Sequence, residues 1–252
     1  MAGDKPFFFT VSPDFSPDHI SGWFIFNTWL QRELSLSIHL ELYGDFATQR
    51  ADIAKGKVDL IYANPSDASL LVRQQGFVGV ARPVELADEA VVVVRADSEV
   101  RQVEDLKSGT RIAATDHPDV RMMGMIMLEP ADLSQATTTT KECDTYVLVA
   151  KSLITGESDV GFFLKAAYDD LSAMSRRNLR PLVTSQIYVV RHGLLAGPRL
   201  AAQREQILAA LLRMQESDKG RDVLANLGFT AWEAFAQEDV EFMIDLMDTL
   251  VA

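Results

Sequence analysis

Residues that could carry out covalent chemistry are few and scattered in this chain. The four histidines stand at positions 19, 39, 117 and 192, and Cys143 is the single cysteine. None of them has the spacing of a metal site, and no G-x-S-x-G, P-loop or G-x-G-x-x-G motif occurs. The residues therefore predict no enzyme and no cofactor. One catalytic alternative stays open, with Cys143 as nucleophile and His117 as base. Cys143 could also bind a soft ligand such as trivalent arsenic, although one thiol coordinates weakly.

Four polar loops that precede helices contain better-placed candidates for noncovalent ligand binding. The loops are S-P-D-F-S-P-D-H at 12–19, N-P-S-D at 64–67, D-H-P-D-V-R-M-M-G at 116–124 and C-D-T-Y at 143–146. Open parallel sheets bind ligands at the carboxyl ends of their strands, and unpaired N–H groups at helix N-termini attract anions. The first three loops supply these candidate ligand contacts: Ser12, Asp14, Asn64, Ser66, His117, Asp119 and Arg121.

Arg121 is the one candidate in these loops with a fixed positive charge. Its planar guanidinium could bind an oxyanion or a carboxylate through two parallel hydrogen bonds. A solvated surface arginine is the equally supported alternative. The methionines beside it, Met122 and Met123, indicate either an apolar pocket or core packing, and core packing is the prediction for Met125 and Met127.

The elements that would position these loops alternate between strands and helices. In the first part of the chain, strands are predicted at FFFTVS, SIHLELY and VDLIYA. Helices are predicted from about Ser21, as N-cap, to Leu34 and over 45–55. This β-α-β order predicts a mostly parallel sheet that is covered by helices.

The rest of the chain continues the alternation. Predicted strands lie at EAVVVVRAD (89–97), Arg111–Thr115, TTTT (137–140), SDVGFF and TSQIYVVRHG (184–193). Helices are predicted from about Asp119 to Leu128 and from about Asp144 to Ile154. Three further helices are predicted within PRLAAQREQILAALLRMQES, KGRDVLANLGFTAW and DVEFMIDLMDTLV.

One local pattern occurs twice. In AKGKVDLIYANPSD and ITGESDVGFFLKAA a helix end is followed by Gly, two residues, Asp and an apolar run. Gly56 and Gly156 fit the position after a helix where positive φ is favourable only without a side chain. Asp59 and Asp159 are predicted to fix the turn into the following strand.

The amino-acid composition of the chain limits the classes of partner that it is expected to bind. The net charge is −12 and the pI is near 4.8, which disfavours nucleic acid and anionic membranes as partners. No apolar run approaches the roughly 20 residues of a membrane-spanning helix. At 252 residues the chain fits one large domain or two lobes of ordinary size.

Two lobes are the prediction. EAVVVVR and QIYVVR both end in Val-Val-Arg and flank the block 97–185. If both segments cross between lobes, lobe 1 is built from residues 1–94 plus 190–252 and lobe 2 is the inserted block 95–189. A paired crossing of this kind permits bending about a hinge.

The order and spacing of these segments resemble the phosphonate, phosphate and phosphite type of solute-binding proteins of ABC transporters. The matching features are G-K-V-D-L-I-Y-A-N-P-S, AVVVVRADS followed by DLKSGTRIAATD, and G-E-S-D-V-G-F-F. The resemblance covers nearly the whole chain. It implies an α/β fold of the two-lobed, type 2 periplasmic-binding-protein kind, with a mostly parallel sheet in each lobe, two crossing hinge strands and a ligand cleft at the strand ends.

The resemblance also implies further ligand contacts, and it shows where this chain differs from the family. Tyr146, with Thr145 beside it, falls where the family often has a polar residue near a helix start. Phe163 stands where phosphonate binders present polar or acidic groups, and Gln186 where an acidic residue is frequent. The family's run of small hydroxyl residues is absent from 116–124, so a small anion with an apolar part, or a ligand without phosphorus, is as well supported as a phosphonate.

The resulting hypothesis is a non-catalytic solute-binding protein that closes on a small anionic ligand and delivers it to an ABC permease. The alternative is a ligand-sensing module with a signalling partner protein, possible in the cytoplasm. The first 13 residues lack the charged and apolar regions of a signal peptide. The predicted location is therefore periplasmic or extracytoplasmic if a leader was removed, and cytoplasmic otherwise.

Overall fold

The computed structural model describes residues 5–251 and divides the chain into two compact units. The first unit comprises Met1–Leu86 and Arg191–Met247, and the second comprises Ala87–Val190 and Asp248–Ala252. Each unit contains one sheet. The main segment of the second unit, Ala87–Val190, thus interrupts the first unit, and the sequence prediction for the inserted block is 95–189.

The sheet of the first unit has six strands in the order β11-β4-β10-β3-β1-β2. Its strands are β1 (Phe7–Val11), β2 (Ile38–Leu42), β3 (Leu60–Ala63), β4 (Val78–Pro83), β10 (Gly193–Ala196) and β11 (Trp232–Ala234). β1 pairs in parallel with both β2 and β3, whereas β10 is antiparallel to β3 and β4. Strands β1 to β4 therefore run in one direction, as the alternation predicts, and β10 and β11 run against them.

The helices that begin in the first unit are α1 (Ile20–Leu34), α2 (Phe46–Ala54), α3 (Pro65–Ser69), α8 (Arg204–Leu212), α9 (Asp218–Leu227) and α10 (Gln237–Val251). The predicted N-cap Ser21 is wrong, because a 3₁₀ turn at Pro17–His19, capped by Ser16, leads directly into α1. GFTAW is also not helical. Gly228 ends α9 at a φ of +73°, and β11 follows.

Helix α1 packs its apolar stripe against the sheet. Trp23, Phe26 and Leu30 are buried with Phe9 of β1, and the Trp23 and Phe26 rings lie edge to face, 5.8 Å apart. Gly22 lets α9 approach, because a Cβ there would lie 2.2 Å from the carbonyl oxygen of Asn226. This core holds the ends of β1 and β3 in place.

The sheet of the second unit has five strands in the order β7-β6-β8-β5-β9. The strands are β5 (Ala90–Arg95), β6 (Arg111–Ala114), β7 (Thr139–Glu142), β8 (Val160–Leu164) and β9 (Leu179–Thr184). β6 is parallel to β7 and β8, and β5 is antiparallel to β8 and β9. Only β5 runs against the other four strands.

The two faces of this sheet are covered by different helices. Among α4 (Pro118–Ile126), α5 (Tyr146–Ile154), α6 (Lys165–Asp169) and α7 (Ala173–Arg177), the longest are α4 and α5. α5 packs on Val91, Ala113 and Phe163, whereas α4 packs on the neighbouring Phe162. Because successive strand residues point to opposite faces, α4 and α5 lie on opposite sides of the sheet.

The two predicted crossing segments take different structures. β5 pairs along its whole length with β8 and β9, so it lies entirely within the second unit. The predicted strand at 184–193 is not formed: β9 ends at Thr184, and residues 185–192 belong to no strand. Tyr188 has a φ of +58°, which an extended strand does not accommodate.

The repeated pattern forms the same local structure twice. Gly56 and Gly156 have φ values of +66° and +75° directly after α2 and α5. The Oδ2 of Asp59 accepts a hydrogen bond from the Phe8 N–H at 2.9 Å, and the Oδ2 of Asp159 accepts one from the Arg111 N–H at 2.9 Å. Each Asp thereby fastens the start of β3 or β8 to the neighbouring parallel strand.

Within the described residues, no helix has the length and apolar character that a membrane span requires.

Candidate functional site

The strand ends of the first unit carry a polar network around Ser12. The Oγ of Ser12, directly after β1, accepts a hydrogen bond from the Asn64 N–H at 2.9 Å, directly after β3. Gln49 of α2 reaches the same place, where its Nε2 donates to Thr10 Oγ1 at 3.0 Å and to the Val11 carbonyl at 2.8 Å. The predicted candidates Ser12 and Asn64 are thus adjacent, and both are fully buried.

Asn64 also caps α3 and organises the residues behind it. Its Oδ1 accepts a hydrogen bond from the Asp67 N–H at 2.8 Å, and its Nδ2 donates to Asp67 Oδ2 at 3.3 Å. Asp67 is buried and paired with Arg50, whose Nε lies 2.7 Å from Asp67 Oδ1. The hydrogen bonds of the Asn64 side chain therefore fix the loop at 64–67. Ser66, the second residue of α3, is half-buried.

Asp14 pairs with a histidine that the sequence analysis did not select. His192 Nε2 lies 3.2 Å from Asp14 Oδ1, and the His192 ring stacks on Tyr62 with centroids 5.4 Å apart. His192 comes just before β10, whose first residue, Gly193, is opposite Ala63 at the end of β3. The position of His192 depends on the antiparallel pairing of β10 with β3, which the sequence around residue 192 does not reveal.

In the second unit the N-termini of α4 and α5 are linked by a side-chain pair. His117 is the N-cap residue of α4, and Tyr146 is the first residue of α5. The Tyr146 hydroxyl lies 2.8 Å from His117 Nδ1, and the two rings meet edge to face at 5.3 Å. Both residues were predicted ligand contacts, and the structure brings them into direct contact.

Thr145 and Phe163 support this pair. The Oγ1 of Thr145 accepts a hydrogen bond from the Leu148 N–H at 3.3 Å and thereby caps α5. The Phe163 ring stacks on Tyr146 with centroids 5.7 Å apart and lies fully buried in the core beneath α5. In the structure these two residues fix the position of Tyr146.

The other predicted residues of this unit have separate environments. Asp119 is buried in the first turn of α4. Arg121 Nη1 lies 3.3 Å from Glu142 Oε2, so its charge is already paired on an exposed surface. Gln186 is exposed in the segment that follows β9.

Thr115 is a candidate that the sequence analysis included only as the end of a strand. It follows β6 and leads into α4, and its side chain is buried. Among the residues that the structure describes, its Oγ1 has no hydrogen-bond partner. Buried hydroxyl groups are normally paired, so this one is suited to a ligand contact.

Cys143 has the properties of a core residue. It is buried under α5, and burial raises the pKa of its thiol above that of an ordinary cysteine. A raised pKa leaves the thiol protonated at neutral pH, whereas nucleophilic catalysis requires the thiolate. Within residues 5–251 no group of three or more His, Cys, Asp and Glu side chains is arranged to hold a metal ion.

Comparisons with known proteins agree with this architecture. A family model described as "ABC transporter, phosphonate, periplasmic substrate-binding protein" matches residues 9–240. PhnD1 from Prochlorococcus marinus, solved with methylphosphonate, has a TM-score of 0.81 at 13% identity, with 98% of each chain covered. A search among curated proteins found no match.

Two further solved structures share the fold. A binding protein component of an ABC phosphonate transporter from Pseudomonas aeruginosa has a TM-score of 0.74 at 16% identity, covering 97% of this chain and 88% of that one. The periplasmic aliphatic sulphonate binding protein SsuA from Escherichia coli has a TM-score of 0.67 at 14% identity, covering 98% and 92%.

The fold is that of the type 2 periplasmic binding proteins. The family whose model matches consists of substrate-binding proteins, which bind their ligands without catalysis. The chain belongs to the phosphonate family of periplasmic substrate-binding proteins of ABC transporters. A small-molecule ligand and an ABC permease are accordingly its partners.

Proposed function

We propose that the ligand is a singly charged organic oxyanion, a phosphonate or sulfonate with an apolar substituent. The protein binds it outside the cytoplasmic membrane and delivers it unchanged to the permease. Membership of the phosphonate-binding family supports the oxyanion, and the structurally similar proteins include one solved with methylphosphonate and one named for aliphatic sulphonates. The contact between His117 and Tyr146 is the observation that carries the proposal.

The His117–Tyr146 pair stands at the N-termini of two nine-residue helices, α4 and α5. Helix N-termini offer N–H groups and a partial positive charge to an anion. A Tyr146 hydroxyl that donates to Nδ1 keeps the histidine hydrogen on Nε2, which is a hydrogen-bond donor toward anionic oxygen. The buried Thr115 hydroxyl, directly before α4, is the third proposed contact.

The charges near this pair favour a monoanion over a dianion. Asp116, Asp119 and Asp144 flank the two helix starts, and Arg121 is paired with Glu142. A second negative charge on the ligand would be repelled by these carboxylates. Hydrogen-bond donors, rather than ion pairs, therefore carry the recognition of the head group.

In the first unit the proposed contacts are Ser12, Asp14, Asn64 and Ser66. Ser12 and Asn64 are hydrogen-bonded to each other, so their contribution is to position the backbone of the loops at 12–19 and 64–67. In the second unit Thr145 and Phe163 act through Tyr146, whereas His117 and Tyr146 touch the ligand. Asp119, Arg121 and Gln186 stay predicted contacts.

Isothermal titration calorimetry with methylphosphonate, methanesulfonate, phosphate and sulfate tests this proposal. We expect saturable binding of at least one organic monoanion, with weaker binding of sulfate. Tyr146→Phe removes the hydroxyl that orients His117 and should weaken binding by about tenfold, the loss of roughly one hydrogen bond.

Thr28→Val is the control, because the Thr28 hydroxyl donates to the Phe24 carbonyl at 3.0 Å within α1 and belongs to no strand-end loop. It should leave the affinity unchanged. Equal affinities for the original protein and Tyr146→Phe would contradict the role of the pair, and no binding of any compound would contradict the ligand class.

A further inference from the structure

A groove of about 730 Å³ lies in the second unit along the flank of α4. The residues of α4 that line it, Pro118, Arg121, Met122, Met125 and Ile126, recur at three- and four-residue spacing and therefore form one face of the helix. This face spans roughly 13 Å, given the rise of an α-helix.

The floor and far wall of the groove come from the sheet. Ala114 of β6 and Phe162 of β8 form an apolar floor, and both are buried. The far wall is the edge strand β7, which contributes Thr138, just before the strand, and Thr140. Gly124 lets α4 pack closely on Phe162, because a Cβ there would lie 2.5 Å from that ring.

The groove begins at the N-terminus of α4. Its lining includes Asp116 and Pro118, the two residues on either side of His117. From there it continues past Met122 and Met125, which are only half-buried. Methionine side chains are flexible and polarizable, so they adapt to apolar groups of different shape.

We propose that this groove, lined by α4, β7 and Phe162, binds the apolar chain of the ligand whose head group contacts His117. The inference rests on the proposed function. Three observations select an alkyl chain as the occupant. The groove starts beside His117, its floor is apolar, and Arg121, the one cation among the described residues that line it, is paired with Glu142. The ligand class is accordingly an alkyl phosphonate or alkyl sulfonate of several carbons.

The groove also accounts for the sequence of α4. Four of the nine methionines of the chain stand at positions 122, 123, 125 and 127. Met123 is buried against the sheet, whereas Met122 and Met125 line the groove. The prediction of core packing for Met125 is therefore wrong.

Calorimetric titrations with methyl- and hexylphosphonate, and with methane- and hexanesulfonate, test the proposal on the intact chain. Each methylene that enters the groove should raise the affinity two- to fourfold, about what partial to full burial of a CH₂ group gives. The hexyl compound should therefore bind at least tenfold more tightly than the methyl compound with the same head group.

Thr140→Trp fills the groove from its exposed wall and should abolish the advantage of the hexyl chain while the methyl compound binds as before. Thr139→Trp is the matched control, because the neighbouring residue of β7 points to the other face. It should leave both affinities unchanged. Met125→Gln, a second test, should reduce the hexyl advantage several-fold.

The outcomes separate this inference from the proposed function. If methyl compounds bind and hexyl compounds bind no more tightly, the groove proposal is overturned and the proposed function stands. A hexyl advantage that persists in Thr140→Trp also overturns it, because the chain then lies elsewhere. If no compound of either length binds, the proposed function itself fails.

Discussion

Ser12 and Thr115 occupy matching positions, directly after β1 and directly after β6. The Ser12 hydroxyl is used within the protein, where it accepts a hydrogen bond from the Asn64 N–H. The counterpart of Asn64 in the second unit is Leu164, which pairs with Ala90 in the sheet, and among the described residues no partner is found for Thr115 Oγ1. The hydroxyl at this position is thus used within the protein in one unit and is unpaired among the described residues in the other, where we propose that a ligand pairs with it.

Thr115→Val tests this difference between the two units. The substitution keeps the shape and removes an unsatisfied hydroxyl, so the free energy of unfolding should stay the same or rise, while the affinity for the ligand falls several-fold. Urea unfolding and calorimetry measure the two effects. Thr110→Val is the control, because Thr110 donates to the Lys107 carbonyl and its loss should cost about 1 kcal/mol of stability with no change in affinity.

If Thr115→Val lowers stability as Thr110→Val does and leaves binding intact, the hydroxyl has a structural partner and the assignment is refuted.

For individual residues, the sequence predicts which loops contain the candidates better than it predicts what each side chain contacts. His117 and Tyr146 are 29 positions apart, and their contact depends on β6 and β7 being parallel neighbours. His192 could not be selected, because its place beside Tyr62 follows from the antiparallel pairing of β10 with β3. Phe163 and Thr145 are predicted as ligand contacts from the sequence. In the structure Phe163 stacks on Tyr146, and Thr145 caps the helix that begins at Tyr146.

The repeated helix–turn–strand is the element that positions the candidate residues within each unit. Asp45 caps α2 and Thr145 caps α5, each through its side chain, and Gly56 and Gly156 follow the two helices with positive φ. Asp59 then fastens β3 to β1, and Asp159 fastens β8 to β6. The start of each helix and the start of the strand after it are therefore placed by equivalent contacts in both units.

The glycines of this element give a direct prediction. Gly56→Ala and Gly156→Ala should each lower the free energy of unfolding by about 1 kcal/mol, since an L side chain disfavours positive φ. No neighbouring atom lies within 4 Å of a Cβ at Gly56, and the nearest at Gly156 is 3.5 Å away, so the cost comes from the backbone. Urea unfolding measures it.

Gly44→Ala provides the control for both variants. A Cβ at Gly44 also meets no atom within 4 Å, and its φ is not positive. Stability should be unchanged or slightly raised. Equal effects of all three substitutions would show that the turn conformation is not what Gly56 and Gly156 provide.

Most elements could be predicted from periodicity, because their apolar faces are regular. Helices α1, α2, α4 and α5 and the first three strands all lie within a few residues of their predicted bounds. The strand predicted at 184–193 failed because an apolar run does not reveal the positive φ of Tyr188. The helix predicted through GFTAW failed because Gly228 ends α9 and Trp232 pairs with Pro83 in β4.

At the scale of the whole molecule, the sequence predicts an inserted lobe at 95–189, and the second unit of the structure has its main segment at Ala87–Val190. The boundaries differ because an apolar segment such as AVVVVR fits either sheet, and only its partners β8 and β9 place it in the second unit. The identity of the ligand could not be predicted, because the loops at 116–124 depart from the family pattern and their chemistry depends on contacts distant in sequence.

The central claim is that this protein captures an organic oxyanion and releases it unchanged. Native mass spectrometry of the intact chain with hexylphosphonate or hexanesulfonate, followed by recovery of the compound, tests it most directly. We predict one molecule bound per chain, a bound fraction that saturates and falls in Tyr146→Phe, and a recovered compound of unaltered mass. A chain that binds neither compound, or one that returns a chemically modified product, would contradict this account.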